Sequence, residues 1–126
     1  MKKLGSKVVA APLNYVKANG NKIALLLNFT DTMTYAQAND AANVIASSVM
    51  TSSDFAIVDN GNGTQTVSTT AKTVTPLLTG DPSHIVVFDT VNGDILWATN
   101  ETSTGTVGTQ NSVTIPAISY TSNQPV

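Results

Sequence analysis

Two apolar runs, His84-Ile85-Val86-Val87-Phe88-Asp89 and Asp94-Ile95-Leu96-Trp97-Ala98-Thr99, meet across Asn92-Gly93 and carry the densest hydrophobic patterning in the chain. Asn-Gly tolerates the positive φ angles of a type I′ turn, so the pair predicts a β-hairpin. Ile85, Val87, Ile95 and Trp97 place it at the centre of a β core. Lys22 to Asn28 is a second apolar run, in which Ile23, Leu25 and Leu27 alternate with Ala24 and Leu26. A strand buried on both faces and a buried helical turn both have this appearance; the strand is expected here.

Thr34 to Met50 predicts a short helix, over about residues 34–48. Thr34 and Gln37 have capping-box spacing, and Tyr35, Ala38, Ala42, Ile45 and Val49 recur at steps of three and four. A β series follows: Asp54 to Asp59, Gly63 to Thr70, Lys72 to Leu77, the central hairpin, and Ser112 to Tyr120. Asn60-Gly61-Asn62-Gly63 joins the first two, and Pro116 puts the last strand at an edge or a bulge. Strands spaced this way imply a compact, mainly β domain, an antiparallel sandwich or barrel-like sheet. Pro12 and Asn19-Gly20 make residues 1–21 an extended amino-terminal arm, with at most a short strand at Lys7 to Ala11. Residues 22–121 form the single domain, and 122–126 a carboxyl-terminal tail.

Composition narrows the function. Charged residues are 11% of the 126, against about 25% in ordinary domains, and Thr, Ser and Asn take their place. Such a surface suits contact with other protein surfaces. The net charge is −2, and the six basic residues are all lysine, so the forked contacts that arginine makes to bases and phosphates are lacking. No sequence-specific nucleic-acid binding is expected. The chain has no cysteine, hence neither a disulfide framework nor a thiolate metal site. Lys7 and Pro12 interrupt any signal-peptide core, and no run approaches the roughly 18 apolar residues of a membrane span.

Candidate chemistry is sparse, and neither a cofactor, a metal nor a catalytic residue is expected. His84 is the only histidine; Ser83 beside it invites comparison with a nucleophile and base, but adjacent strand residues point to opposite faces. Asp59 and Asn62 resemble part of a calcium loop without its closing glutamate. A hairpin turn accounts for the same residues. Asp89 and Asp94 have the look of a glycosidase pair, yet aspartate is common beside turns for local hydrogen-bonding reasons. Trp97 and Phe88 are either core or a sugar platform.

Four segments occur in an order that resembles a family of small tailed-bacteriophage virion proteins. They are Thr34-Tyr35-Ala36-Gln37-Ala38; Ser53-Asp54-Phe55-Ala56-Ile57; Ser83 to Asp89 with Ile95-Leu96-Trp97; and Asn111-Ser112-Val113-Thr114-Ile115-Pro116-Ala117. The likeness spans about residues 28–120. Gln37 stands where the family usually has an acidic residue, and Val87-Phe88 replaces a smaller pair. The resemblance implies a non-enzymatic particle component, associated with the head or with the tail.

The leading expectation is a capsid decoration protein, made in the host cytoplasm and located on the outer surface of the virion. It would tie major capsid protein subunits together, as a homotrimer, without contacting membrane. Lys2, Lys3 and Lys7 in the arm, and Asn123, Gln124, Pro125 and Val126 in the tail, are the expected partner contacts. The alternatives are a tail fibre, baseplate or tail-adaptor component, and a carbohydrate-binding or adhesin-like domain using Trp97, Tyr35 and Tyr120. A Trp97 open to a groove would favour the last of these.

Overall fold

The computed structural model describes residues 6–101 and 104–122, with side chains from Pro12 onward. It is mainly β and antiparallel. Its largest sheet has strand order β2-β1-β6-β7, from β1 (Lys22–Leu26), β2 (Val44–Val49), β6 (His84–Asp89) and β7 (Asp94–Asn100). The apolar runs at Lys22–Leu26 and His84–Asp89 are its central strands, whereas the second arm of the hairpin, expected at the centre of the core, is the edge strand β7. One face of β1 and β6, with Ile23, Leu25, Ile85 and Val87, joins Ile45, Phe55, Val67 and Ile115 in the main core. The opposite face, with Ala24, Leu26, Val86 and Phe88, is covered by Ala38, Phe29, Met33 and Tyr35. Strands covered on both sides need apolar residues at every position, which is why these runs are continuous rather than alternating.

A three-stranded sheet runs β3 (Phe55–Asp59), β4 (Gln65–Thr69), β9 (Ser119–Ser122), and β5 (Lys72–Val74) pairs with β8 (Val113–Ile115). On their exposed faces, threonines meet across the strands. The Thr66 and Thr121 hydroxyls lie 2.8 Å apart, and those of Thr73 and Thr114 3.1 Å. Such pairs stabilise a wet sheet face without charge.

Four local expectations are corrected. Within residues 1–21, expected as an extended arm, the described residues Ser6–Asn19 form α1. Leu13 is 2% exposed within the main core, and Val16 packs against it. Gly20 closes the helix by donating its N–H to the Val16 carbonyl at 2.7 Å. A Cβ on Gly20 would sit 2.8 Å from the Phe55 ring, so only glycine lets the chain pass this close.

The second correction concerns the helix expected at 34–48. The capping box exists, with the Thr34 hydroxyl accepting from the Gln37 N–H at 3.2 Å, but α2 covers only Tyr35–Ala38. Val44–Val49 is a strand instead, because Val44, Ile45 and Val49 are β-branched and β1 offers an antiparallel partner, with one bulge at Ile45. The Asn43 amide turns the chain between the two, donating to the Asn28 and Ala38 carbonyls at 2.9 and 3.0 Å.

Third, the central hairpin is not a two-residue type I′ turn. Its loop is Thr90 to Gly93, and Gly93 alone has positive φ, at 70°. The organising residue is Asp89, 1% exposed, whose carboxylate accepts from the Val91 N–H, the Asn92 N–H and the Asn92 amide. Fourth, Ser112 to Tyr120 is two strands. Pro116 lacks the N–H a ladder needs, and the chain leaves β5 there and re-pairs as β9 on β4.

Asp54 links the small sheets. Its carboxylate accepts from Thr51 N–H at 2.9 Å, Thr70 Oγ1 at 2.8 Å and Lys72 Nζ at 2.7 Å. These donors, Lys72 first, hold its carboxyl well below the usual carboxylate range. A pKa lowered by folding stabilises the protein above the unfolded value of about 3.9, and that contribution fades as the pH falls below it. Asp54→Asn is therefore expected to lose about 1–2 kcal/mol at pH 7, since the pair is partly solvated. In urea titrations the gap between variant and parent should close towards pH 2; a gap independent of pH would contradict this role.

Candidate functional site: an aromatic groove beside strand β7

β7 is an edge strand, and its outer edge forms no backbone hydrogen bond to any described residue. The other edge of the same sheet is covered: the Leu77 N–H donates to the Ile45 carbonyl of β2 at 2.6 Å. Along bare β7 runs an open groove of about 660 Å³. Ile95, Leu96, Trp97 and Ala98 form one wall. Consecutive residues line it because the strand presents its edge, not one pleated face.

The facing wall comes from α1, where Pro12, Leu13, Tyr15 and Val16 recur at helical spacing. Val67 of β4 and Tyr120 of β9 complete it. Trp97 pairs with Val87 across the ladder and so faces the main core along one edge of its ring. Its indole meets the Tyr120 ring edge-on, with centroids 6.4 Å apart. Tyr15 and Tyr120 are 50% and 54% exposed. None of the described lining residues is charged.

The polar atoms among the described lining side chains are Tyr15 Oη, Tyr120 Oη and Trp97 Nε1. None of them hydrogen-bonds to another described residue. Buried tyrosines and tryptophans find protein partners for these groups. Here, with Tyr15 and Tyr120 half exposed, those groups are available to solvent or a ligand.

Trp97 and Tyr120 were both legible as candidates, and the fold brings them together. Tyr35 is not with them: its ring packs edge-on against Phe88, 5.5 Å between centroids, on the far side of the large sheet. Tyr15 takes its place and was missed because residues 1–21 read as an arm. The signal was present, since Pro12, Leu13, Tyr15 and Val16 fall on one side of a helix.

Ser83 and His84 do touch, contrary to the strand-alternation expectation: Ser83 Oγ lies 2.9 Å from His84 Nδ1. β6 begins at His84, so Ser83 precedes the pleat and its side chain is not bound to the opposite face. The same hydroxyl donates to the Leu26 carbonyl at 3.4 Å, and Phe29 packs on the imidazole at 5.4 Å. The pair ties the start of β6 to the end of β1.

Asp59 and Asn62 spend their oxygens inside their hairpin, accepting from the Gly61 and Thr64 N–H groups at 2.9 and 3.3 Å. Among the described residues no cluster of three metal-ligating side chains forms. Asp89 and Asp94 face each other in register, but hydrogen bonds from Asn92 hold the Asp89 carboxyl low, the opposite of a general acid.

Of the expected partner contacts, Lys7 lies on α1. Lys2, Lys3, Asn123, Gln124, Pro125 and Val126 fall outside the described residues. Among the described residues no helix is long and apolar enough to cross a membrane. In comparisons with known proteins, no family model, no curated protein and no solved structure matches this chain.

Proposed function

We propose that this chain is a non-enzymatic structural component of a tailed-bacteriophage particle. It is a capsid decoration protein on the outer virion surface, a homotrimer that bridges neighbouring major capsid protein subunits. The observation that carries the reading is a charge-poor surface from which aliphatic side chains stand into solvent: Val49, Leu77 and Val91 are 75%, 70% and 83% exposed. Val49 and Val91 flank the same end of the large sheet. There Asn21 clamps both neighbouring segments, accepting from the Met50 N–H on its carbonyl and the Thr90 N–H on its side chain, each at 2.9 Å. Exposed aliphatic groups at one end of a sheet, on a surface poor in charge, support a partner-facing role for that end.

The ordered segments resembling phage virion proteins support the same reading. A decoration protein needs only a small patch of this kind. Many copies on a repeating shell turn modest contacts into collective stability, because each bound copy holds its neighbours' sites in place.

Purified chain added to shells that lack it is expected to raise their melting temperature and their resistance to osmotic shock, since a ligand of the assembled state stabilises that state. Val91→Asp, on an exposed loop, should weaken the effect without unfolding the protein. Shells that neither bind the chain nor gain stability from it would end the decoration reading.

A further inference from the structure

The geometry points to the groove between β7 and α1 as a binding site for a neutral carbohydrate, with a sugar ring stacked against Trp97 between Tyr15 and Tyr120. This goes beyond the decoration reading and does not rest on it. A groove of about 660 Å³ falls within the roughly 300–1,000 Å³ of small-ligand sites. Its chemistry selects the occupant in three steps.

First, none of the described lining residues is charged. A phosphate-bearing chain or an anionic headgroup would leave its charge without a counter-charge, whereas a neutral ligand loses nothing. Second, aromatic rings stand on both walls, Trp97 on one and Tyr15 and Tyr120 on the other. The C–H bonds on the face of a pyranose carry partial positive charge and meet the negative face of an indole or phenol ring favourably. Tyrosine and tryptophan also present rigid area, so little side-chain freedom is lost on contact.

Third, Tyr15 Oη, Tyr120 Oη and Trp97 Nε1 bond to no other described residue. They are donors to which hydroxyl-rich ligands can bond, and two of them accept in return. An aliphatic side chain or lipid tail would cover the apolar lining and leave these groups unpaired, at a cost. A sugar satisfies both the rings and these polar groups.

Trp97 is the only tryptophan, so the intrinsic fluorescence of the full chain reports on this groove alone. The probes are chitohexaose, cellohexaose and maltohexaose, with sialyllactose as a charged control. At least one neutral hexasaccharide is expected to shift Trp97 emission saturably below about 10 mM, and sialyllactose less. Tyr15→Ala and Tyr120→Ala, both at half-exposed positions, should each weaken that response about fivefold or more. Val58→Ala, exposed on β3 outside the groove, should leave it unchanged.

Silence from all three neutral sugars overturns the proposal, as does a response that both tyrosine variants retain. Emission that changes with protein concentration alone, alongside a dimer in sedimentation, overturns it too, by showing a second copy in the groove.

Discussion

Phe88→Ala is expected to destabilise the protein by about 3–5 kcal/mol, a large share of the roughly 5–15 kcal/mol that holds a typical domain together. Phe88 is fully buried, yet it does not face the main core. It lies on the other face of the large sheet, against Ala24, Leu26, Val86 and the Tyr35 ring. Deleting the ring removes its transfer energy and leaves a cavity that α2 cannot fill, because the capping box and Asn43 hold that segment in place. Urea unfolding with the slope unchanged would give the loss directly. A cost below about 1 kcal/mol would mean that residues 28–43 do not cover this face.

Leu13→Ala is expected to cost about 3 kcal/mol by the same measurement. The value matters because it separates two accounts of the first twenty residues. A loose arm loses nothing when one of its leucines is shortened. In the fold described here Leu13 is 2% exposed, and α1 packs Leu13 and Val16 against the core beside Phe55 and Val67. The same substitution also removes part of the wall facing Trp97, so a red shift of Trp97 emission should accompany the loss of stability. Stability equal to that of the parent would return residues 6–19 to the status of an appendage.

Two of the segments whose elements differ from expectation share a cause. In Thr34 to Met50 the spacing of Tyr35, Ala38, Ala42, Ile45 and Val49 satisfies a helix, and the cap at Thr34 is real. What local pattern does not contain is β1, which pairs with Val44–Val49 through a ladder broken only by a bulge at Ile45. Long-range pairing outweighs a helical preference that is weak in Val44, Ser47 and Ser48. In residues 1–21 Pro12 and Asn19-Gly20 suggested irregular chain, yet Gly20 ends a helix against Phe55 and Val87. Contacts with segments outside the local window decide both.

The groove shows the same division at the level of a site. Trp97 and Tyr120 were legible because lone aromatics in a β-rich chain stand out. Their juxtaposition was not, since it depends on β7 and β9 lying at the edges of different sheets. Tyr15 was hidden with its helix. Ser83 and His84 failed as an expectation for a smaller reason: the alternation of side chains holds only within a strand, and the strand starts one residue later.

By itself the sequence determined the class of fold, through unbroken apolar runs that only doubly covered strands can bury, and a surface of threonine and asparagine instead of charge. It determined too that Pro116 interrupts a ladder and that Gly93 closes a hairpin, because those residues carry their backbone constraints with them. Only the tertiary structure decided which segment becomes the long helix, which strand edge stays bare, and which three aromatic rings line one groove. Those outcomes are set by which surfaces remain available once the two apolar strands have paired, and no window of neighbouring residues contains that competition.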